Sequence, residues 1–70
     1  MNEKPKYYYG LVEEANRLHK TYGWEWTVRV NAAGDYHLAG PHQSRQYAKW
    51  GWEYKYPVVY STNELYEDEQ

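Results

Sequence analysis

Apolar side chains recur every three or four residues in the first third of the chain, a spacing that places them on one face of an α-helix. Charged and amide side chains occupy the opposite face. Basic residues fall in the last expected turn, and Gly23 follows as a residue suited to a left-handed helix cap. The segment therefore predicts an amphipathic helix, and its inner face comprises Tyr8, Leu11, Val12, Ala15, Leu18 and Tyr22.

The start of this helix has two interpretations. Pro5 suits the first position of a helix, because it has no backbone N–H and its φ is already close to helical. Residues 6–9 also match a short strand that ends at Gly10, since aromatic residues favour strands and glycine often interrupts them. The choice decides whether the fold begins with a helix or with a strand.

The hydrophobic period changes to two after Gly23, which predicts a strand over residues 24–30 with one buried face and one solvent face. Turn-forming residues follow at positions 31–35. Alternation resumes at Tyr36 and ends at Gly40 and Pro41, so the two strands are expected to form a hairpin. The inner face of the first strand comprises Trp24, Trp26, Val28 and Val30.

The second half of the chain predicts another helix and another strand. Residues 42–50 contain good helix formers, with Ser44 as a candidate N-cap and Gly51 as the end of the helix. Residues 52–60 alternate mostly aromatic with polar side chains, the pattern of a strand. Pro57 lacks a backbone N–H and therefore places this strand at a sheet edge or a bulge.

One short pattern occurs twice along the chain: aromatic, glycine, tryptophan, glutamate, aromatic. It spans residues 22–26 and 50–54, and each copy lies where a helix is expected to become a strand. A glycine with positive φ would end each helix, and the next two rings would share the inner face of the strand. We interpret these rings mainly as core residues.

These elements predict a small single α+β domain, with two helices packed on one face of an antiparallel sheet. The element order is α-β-β-α-β, or the ferredoxin-like order β-α-β-β-α-β if residues 6–9 form a strand. We expect the domain to span residues 1–60. Residues 61–70 are rich in carboxylates and poor in apolar side chains, and they are expected to form a mobile acidic tail.

The composition limits how the core can be stabilised and supplies many aromatic side chains. The 70-residue chain has no cysteine, so neither a disulfide nor a thiolate zinc site can stabilise its thin core. It has four tryptophans and ten tyrosines, which exceed what so small a core encloses. Several rings must therefore lie at the surface, where tyrosine and tryptophan are enriched in binding hot spots.

Charge and hydropathy exclude some classes of function. The formal net charge of −2 and the acidic C-terminal segment argue against a strong binder of duplex DNA. No apolar run is long enough to cross a membrane, and the N-terminus lacks the apolar stretch of a signal peptide. We expect a complete small cytoplasmic protein that makes no membrane contact.

The sequence contains no recognisable catalytic or metal-binding pattern. The three histidines are not spaced as metal ligands, and the adjacent Glu13 and Glu14 fall on different sides of the predicted helix. Ser44 and Ser61 lie in no nucleophile motif. We therefore expect a protein that is not an enzyme and that holds no metal or cofactor.

Two binding functions remain. The first is a non-enzymatic protein-binding module, such as a small phage-type inhibitor or anti-defence regulator that covers a surface of a larger host protein or complex. A homodimer is left open. The surplus tyrosines would make the contacts, with the acidic tail available to a basic partner. These candidate contact residues are Tyr7, Tyr9, Tyr56, Tyr60 and Tyr66.

The alternative is a single-stranded nucleic-acid-binding domain, in which rings stack on bases and basic side chains contact phosphates. On the predicted strands, however, Arg29 and Lys55 face away from the aromatic rows. Residues of the second helix would then have to supply the positive charge. The candidate residues for this function are Arg45, Lys49, Trp50, Trp52 and Tyr54.

Overall fold

Two helices and three short strands make up residues 4–62, the part of the chain that the computed structural model describes. The middle strand of the sheet is the first in the chain, and it pairs antiparallel with both others. The predicted class, a small α+β domain with an antiparallel sheet, is therefore confirmed. The elements are α1 (Lys6–Tyr22), β1 (Thr27–Val30), β2 (Tyr36–Ala39), α2 (Pro41–Trp50) and β3 (Val58–Ser61).

The chain between Pro5 and Gly10 is helical. α1 begins at Lys6, directly after Pro5, so residues 6–9 do not form the strand that a ferredoxin-like order requires. Helical spacing places Tyr8 in line with Ala15, and both side chains are buried. The seven-residue spacing of these buried side chains equals about two helical turns, so the helix continues the apolar face of α1 up to Tyr8.

The two helices pack on opposite faces of the sheet, and the prediction that both share one face is wrong. Tyr36 of β2 contacts Tyr8 of α1, with ring centroids 4.9 Å apart. The next residue, His37, instead places its Nε2 atom 3.2 Å from the hydroxyl oxygen of Tyr47 in α2. Successive strand residues point to opposite faces. The prediction failed because β1 was interpreted as half-buried, whereas residues 27–29 are all buried.

The strands are shorter than the sequence alternation predicts. β1 begins at Thr27, so Trp24 lies outside the sheet and is 56% exposed. β3 begins only at Val58, because residues 53–56 form a turn. Two backbone N–H groups of this turn donate to the carbonyl oxygen of Trp52, at 2.9 and 3.2 Å. A loop therefore replaces the first half of the predicted third strand.

α2 begins earlier than its sequence signal indicated. Gly40 is the N-cap residue, and Pro41 occupies the first turn, where a missing N–H leaves no intrahelical bond unmade. Ser44 therefore lies within the helix and does not cap it. Its hydroxyl oxygen is 3.4 Å from Oγ1 of Thr27, so this side chain faces the sheet.

The glycines of the repeated pattern end both helices, as predicted. Gly23 follows α1 with φ of 79°, and Gly51 follows α2 with φ of 72°. Both values lie in the left-handed region, which residues with a Cβ atom adopt only at a cost. The pattern thus marks where each helix ends.

Replacing Gly23 by valine should lower the free energy of unfolding by at least ~1 kcal/mol. Apart from its chain neighbours, no described atom lies within 4 Å of a Cβ atom built on Gly23, so backbone strain alone would cause the loss. Gly10→Ala is the matched control. Gly10 lies inside α1 with open space around it, and alanine there should raise the free energy of unfolding by about 1 kcal/mol.

Urea denaturation followed by tryptophan fluorescence measures both changes. A Gly23→Val variant as stable as the wild type would contradict the left-handed cap.

Packing extends two residues past the predicted domain boundary at residue 60. Ser61 is the last residue of β3, and Thr62 is buried. The backbone N–H of Trp26 donates to Oγ1 of Thr62, and the N–H of Thr62 donates to the Trp26 carbonyl oxygen, both at 3.0 Å. β3 lies at an edge of the sheet, as Pro57 predicted. The rest of the predicted tail, residues 63–70, lies outside the described residues.

Candidate binding site

The loop between α2 and β3 gathers exposed aromatic side chains. The ring centroids of Trp50 and Trp52 are 4.8 Å apart, which fixes the two indoles against each other. Trp50 is 49% exposed and Tyr54 is 77% exposed. Exposed rings that are held by a neighbouring ring can bury a large area on binding with little loss of side-chain entropy. We call Trp50, Trp52, Tyr54 and Lys55 the aromatic surface.

Lys55 belongs to this surface because of the turn. Its Nζ atom lies 4.6 Å from the centroid of the Trp52 ring, a cation–π contact. The sequence alternation had placed Lys55 and the rings on opposite faces of a strand. Residues 53–56 form a turn instead, and the turn brings the lysine over the ring. The predicted separation of positive charge from the aromatic rings is therefore wrong for Lys55.

A groove lies beside the aromatic surface. It has a volume of about 570 Å³, within the range of about 300–1,000 Å³ that is typical of ligand pockets. One wall is formed by residues 31–33 of the β1–β2 hairpin, and the other by residues 54–57 of the loop after α2. The lining is mainly apolar, so the groove can accept an apolar side chain or a flat ring.

Arg29 attaches the loop to the sheet. Its Nη1 atom donates to the carbonyl oxygen of Tyr56 at 2.9 Å and lies 3.3 Å from Oε1 of Glu53. Its Nε atom donates to Oγ1 of Thr27 at 3.3 Å. The guanidinium carbon also lies 5.2 Å from the ring centroid of Tyr47. Arg29 is 3% exposed, although the sequence pattern placed it on the solvent face.

Two rings outside the loop, those of Tyr47 and His37, support it by packing against its residue Tyr56. Tyr47 of α2 stacks on Tyr56, with centroids 4.8 Å apart, and the ring of His37 meets both edge-on. These contacts leave Tyr56 only partly exposed. Tyr56, predicted as a protein-contact residue, therefore also supports the neighbouring aromatic surface.

The surroundings of His37 favour its neutral form. Burial lowers the pKa of His37 below its ordinary value, and the positive charge of Arg29 lowers it further. As the pH falls, the unfolded chain therefore takes up this proton before the folded protein does. The stabilisation is complete above about pH 6.5 and is lost as the pH falls through the lowered pKa of the folded state.

Lowering the pH from about 7.5 to about 5.5 should therefore reduce the free energy of unfolding of the wild type. His37→Asn should weaken this pH dependence, because it removes the histidine whose pKa is lowered by burial. Urea denaturation at several pH values measures the slope for each protein. An unchanged slope in His37→Asn would show that another group titrates.

The predicted protein-contact tyrosines are divided between the two faces of the sheet. Tyr7 and Tyr9 are exposed on α1. Tyr60 also lies against α1, where its hydroxyl group donates to Oδ1 of Asn16 at 2.8 Å. Tyr56 packs on the other face, under the loop. Tyr66 lies outside the described residues, so its predicted role stays a prediction.

The residues predicted for nucleic-acid binding lie closer together. Lys49 and Trp50 are the last two residues of α2, and both are exposed. Trp52 and Tyr54 follow in the loop. Arg45 is exposed on the same helix, one turn before Lys49. Sequence reasoning missed the position of Lys55 over Trp52 and the buried support that Arg29 provides.

A second pair of exposed rings lies at the other end of β1. Tyr22 and Trp24 stack with centroids 5.5 Å apart, and each is 56% exposed. The pair lies at the C-terminal end of α1, whereas the aromatic surface lies at the C-terminal end of α2, beside the hairpin loop. It therefore provides a matched control for substitutions in the aromatic surface.

Neither a cluster of candidate metal ligands nor a membrane-crossing helix is present in the described part of the chain. Within residues 4–62, no three histidine or acidic side chains are grouped to hold a metal ion. Neither helix in that range has the length and apolar character needed to cross a membrane. Comparison with protein-family models, curated proteins and solved structures gives no match.

Proposed function

We propose that this protein is a non-enzymatic protein-binding module that acts through the aromatic surface. One observation carries the proposal: Trp50, at the end of α2, is 49% exposed, and Tyr54, on the following loop that a buried arginine attaches to the sheet, is 77% exposed. Tryptophan and tyrosine are the side chains most enriched in interface hot spots. Holding them in place before binding reduces the entropy lost when a partner covers them.

The residues around these rings also suit a protein interface. Lys49, Glu53 and Lys55 provide charged groups at the margin, as the polar rim of an interface does. The groove between the hairpin and residues 54–57 can receive an apolar side chain of the partner. The partner is a larger cytoplasmic protein or complex, and a small phage-type inhibitor or anti-defence regulator fits this mode of action.

Capture on immobilised protein tests this proposal. We expect a bacterial lysate to yield a stoichiometric partner protein that stays bound after nuclease treatment, and the complex should re-form from purified components. Absence of any stoichiometric protein would count against the proposal.

Single-stranded nucleic-acid binding is the second candidate, and the contact between Lys55 and Trp52 favours it. Positive charge and aromatic rings lie on the same side of the loop, with Lys49 and Arg45 nearby on α2. Two observations make nucleic-acid binding the weaker of the two candidates. Lys55 covers one face of Trp52, which a base would need for stacking. Glu53 also adds a negative charge between Trp52 and Tyr54 in the chain.

A labelled oligonucleotide distinguishes the two candidates. Stacking and phosphate contacts are both strongest at low salt, so a nucleic-acid-binding domain should show tryptophan quenching there and lose it at moderate salt. Absence of quenching at low salt would rule out this second candidate.

A further inference from the structure

A small pocket opens on the α2 side of the sheet, separate from the groove described above. It has a volume of about 380 Å³. Thr27 and Arg29 of β1 line it together with Ser44 of α2, so three polar side chains come from the two elements that form its walls. The charged groups that also line it are Glu25, Arg45 and Glu53.

The guanidinium group of Arg29 is only partly bonded by the protein. Its Nε and Nη1 atoms donate to Thr27, Tyr56 and Glu53. Nη2 makes no hydrogen bond to residues 4–62 and reaches solvent, since the buried side-chain nitrogen without a partner in that range belongs to Trp26. A guanidinium group with an unused donor nitrogen that reaches solvent is a favourable partner for an anion.

Glu53 holds Arg29 weakly. The 3.3 Å between Nη1 and Oε1 exceeds the ~2.7–2.9 Å of a strong charge-assisted bond. The Glu53 side chain is also 55% exposed, and an ion pair so open to water contributes little stability. An incoming carboxylate that bonds both Nη1 and Nη2 would gain the bidentate geometry that Glu53 does not use.

We propose that the Arg29 pocket binds a carboxylate side chain of the partner protein, which displaces Glu53. This inference rests on the proposed function. The pocket adjoins the aromatic surface, because Glu53 lines the pocket and the next two residues, Tyr54 and Lys55, belong to that surface. A partner that covers the rings therefore lies within reach of the pocket.

The charges around the pocket select a singly charged anion. Arg45 adds a second cation at the pocket, whereas Glu25 adds a carboxylate that accepts a hydrogen bond from the Ser61 hydroxyl group at 3.1 Å. Glu25 would repel a phosphate dianion more strongly than a carboxylate. An aspartate or glutamate side chain matches this balance of charges.

NMR titration of the isolated protein tests the pocket. The probes are N-acetylglutamate amide and sodium acetate. Sodium chloride at equal ionic strength is the control, and inorganic phosphate is titrated separately as the other class of anion. Both carboxylates should shift the Arg29 Nε–H and Ser44 amide signals saturably, and chloride should not. Glu53→Gln should lower the Kd for either carboxylate about threefold, because it removes a weakly bound internal competitor.

Glu13→Gln is the matched control, and it should change the carboxylate Kd by less than about twofold, since Glu13 is exposed on α1 and does not line the pocket. Absence of saturable shifts in both the wild type and Glu53→Gln would overturn the inference. Tighter binding of phosphate than of N-acetylglutamate amide would overturn it as well.

These titrations need no partner, so their outcome is distinct from success or failure of the capture experiment. With a partner in hand, Glu53→Gln should strengthen the complex. Weaker binding by Glu53→Gln would show that Glu53 itself makes the contact and would also overturn the inference.

Discussion

Replacing Arg29 by alanine is expected to lower the free energy of unfolding by about 3 kcal/mol. The variant loses the hydrogen bond to the Tyr56 carbonyl oxygen and the contact with the Tyr47 ring, and a cavity remains beside the central strand. A domain of this length has a total stability of about 4–10 kcal/mol. The loss would therefore remove about one third to three quarters of the total stability, which urea denaturation would show.

Arg45→Ala is the control for this prediction. Arg45 is exposed, so its removal should change the free energy of unfolding by no more than about 0.5 kcal/mol. Arg29→Met, which fills most of the volume without donating hydrogen bonds, should fall between the two. Equal stability of Arg29→Ala and Arg45→Ala would contradict the role of Arg29 as the attachment of the loop.

The second large effect concerns binding. Trp50→Ala combined with Tyr54→Ala should weaken binding to the captured partner by at least about 30-fold, equivalent to about 2 kcal/mol. Both side chains are exposed in the free protein, so their removal should leave the fold unchanged. Calorimetry with the purified partner measures the loss, and circular dichroism checks the fold.

Tyr22→Ala combined with Trp24→Ala is the matched control, because it removes one tyrosine and one tryptophan of similar exposure at the other end of β1. The control should bind as the wild type does. An equal loss of affinity in both double variants would show that exposed rings contribute to binding regardless of their position. Unchanged affinity of the variant that lacks the Trp50 and Tyr54 side chains would show that the aromatic surface is not part of the interface.

Local patterns predicted the parts of the fold that depend on local interactions. The helical period of the first third predicted α1, and glycine in the repeated pattern predicted both helix ends, which Gly23 and Gly51 form with positive φ. The α+β class followed from these elements. Each of these features is determined by residues within a few positions of one another.

Burial on both faces of β1 could not be predicted in this way. Polar Thr27 and Arg29 alternate with valines, which is the usual pattern of a half-buried strand. Arg29 is buried because Tyr56 and Glu53, more than twenty positions later, bond to it. Sequence alternation carries no information about such distant partners, so the second helix was assigned to the wrong face.

The alternation of aromatic and polar residues also led to a wrong secondary-structure prediction at the candidate site. Residues 52–60 alternate as a strand would, yet hydrogen bonds to the Trp52 carbonyl oxygen turn the chain at residues 53–56. This turn exposes Tyr54 and brings Lys55 over Trp52. The residue types of the candidate site were therefore visible in the sequence, whereas their exposure and their common side depended on the turn.

The four tryptophan indole N–H signals provide the most direct test of the aromatic surface. Trp50 and Trp52 lie in that surface, Trp24 lies at the other end of β1, and the indole nitrogen of Trp26 is buried. When the purified partner is added to labelled protein, the signals of Trp50 and Trp52 should move or broaden while that of Trp24 stays in place. Movement of the Trp24 signal with unchanged Trp50 and Trp52 signals would contradict the proposed interface.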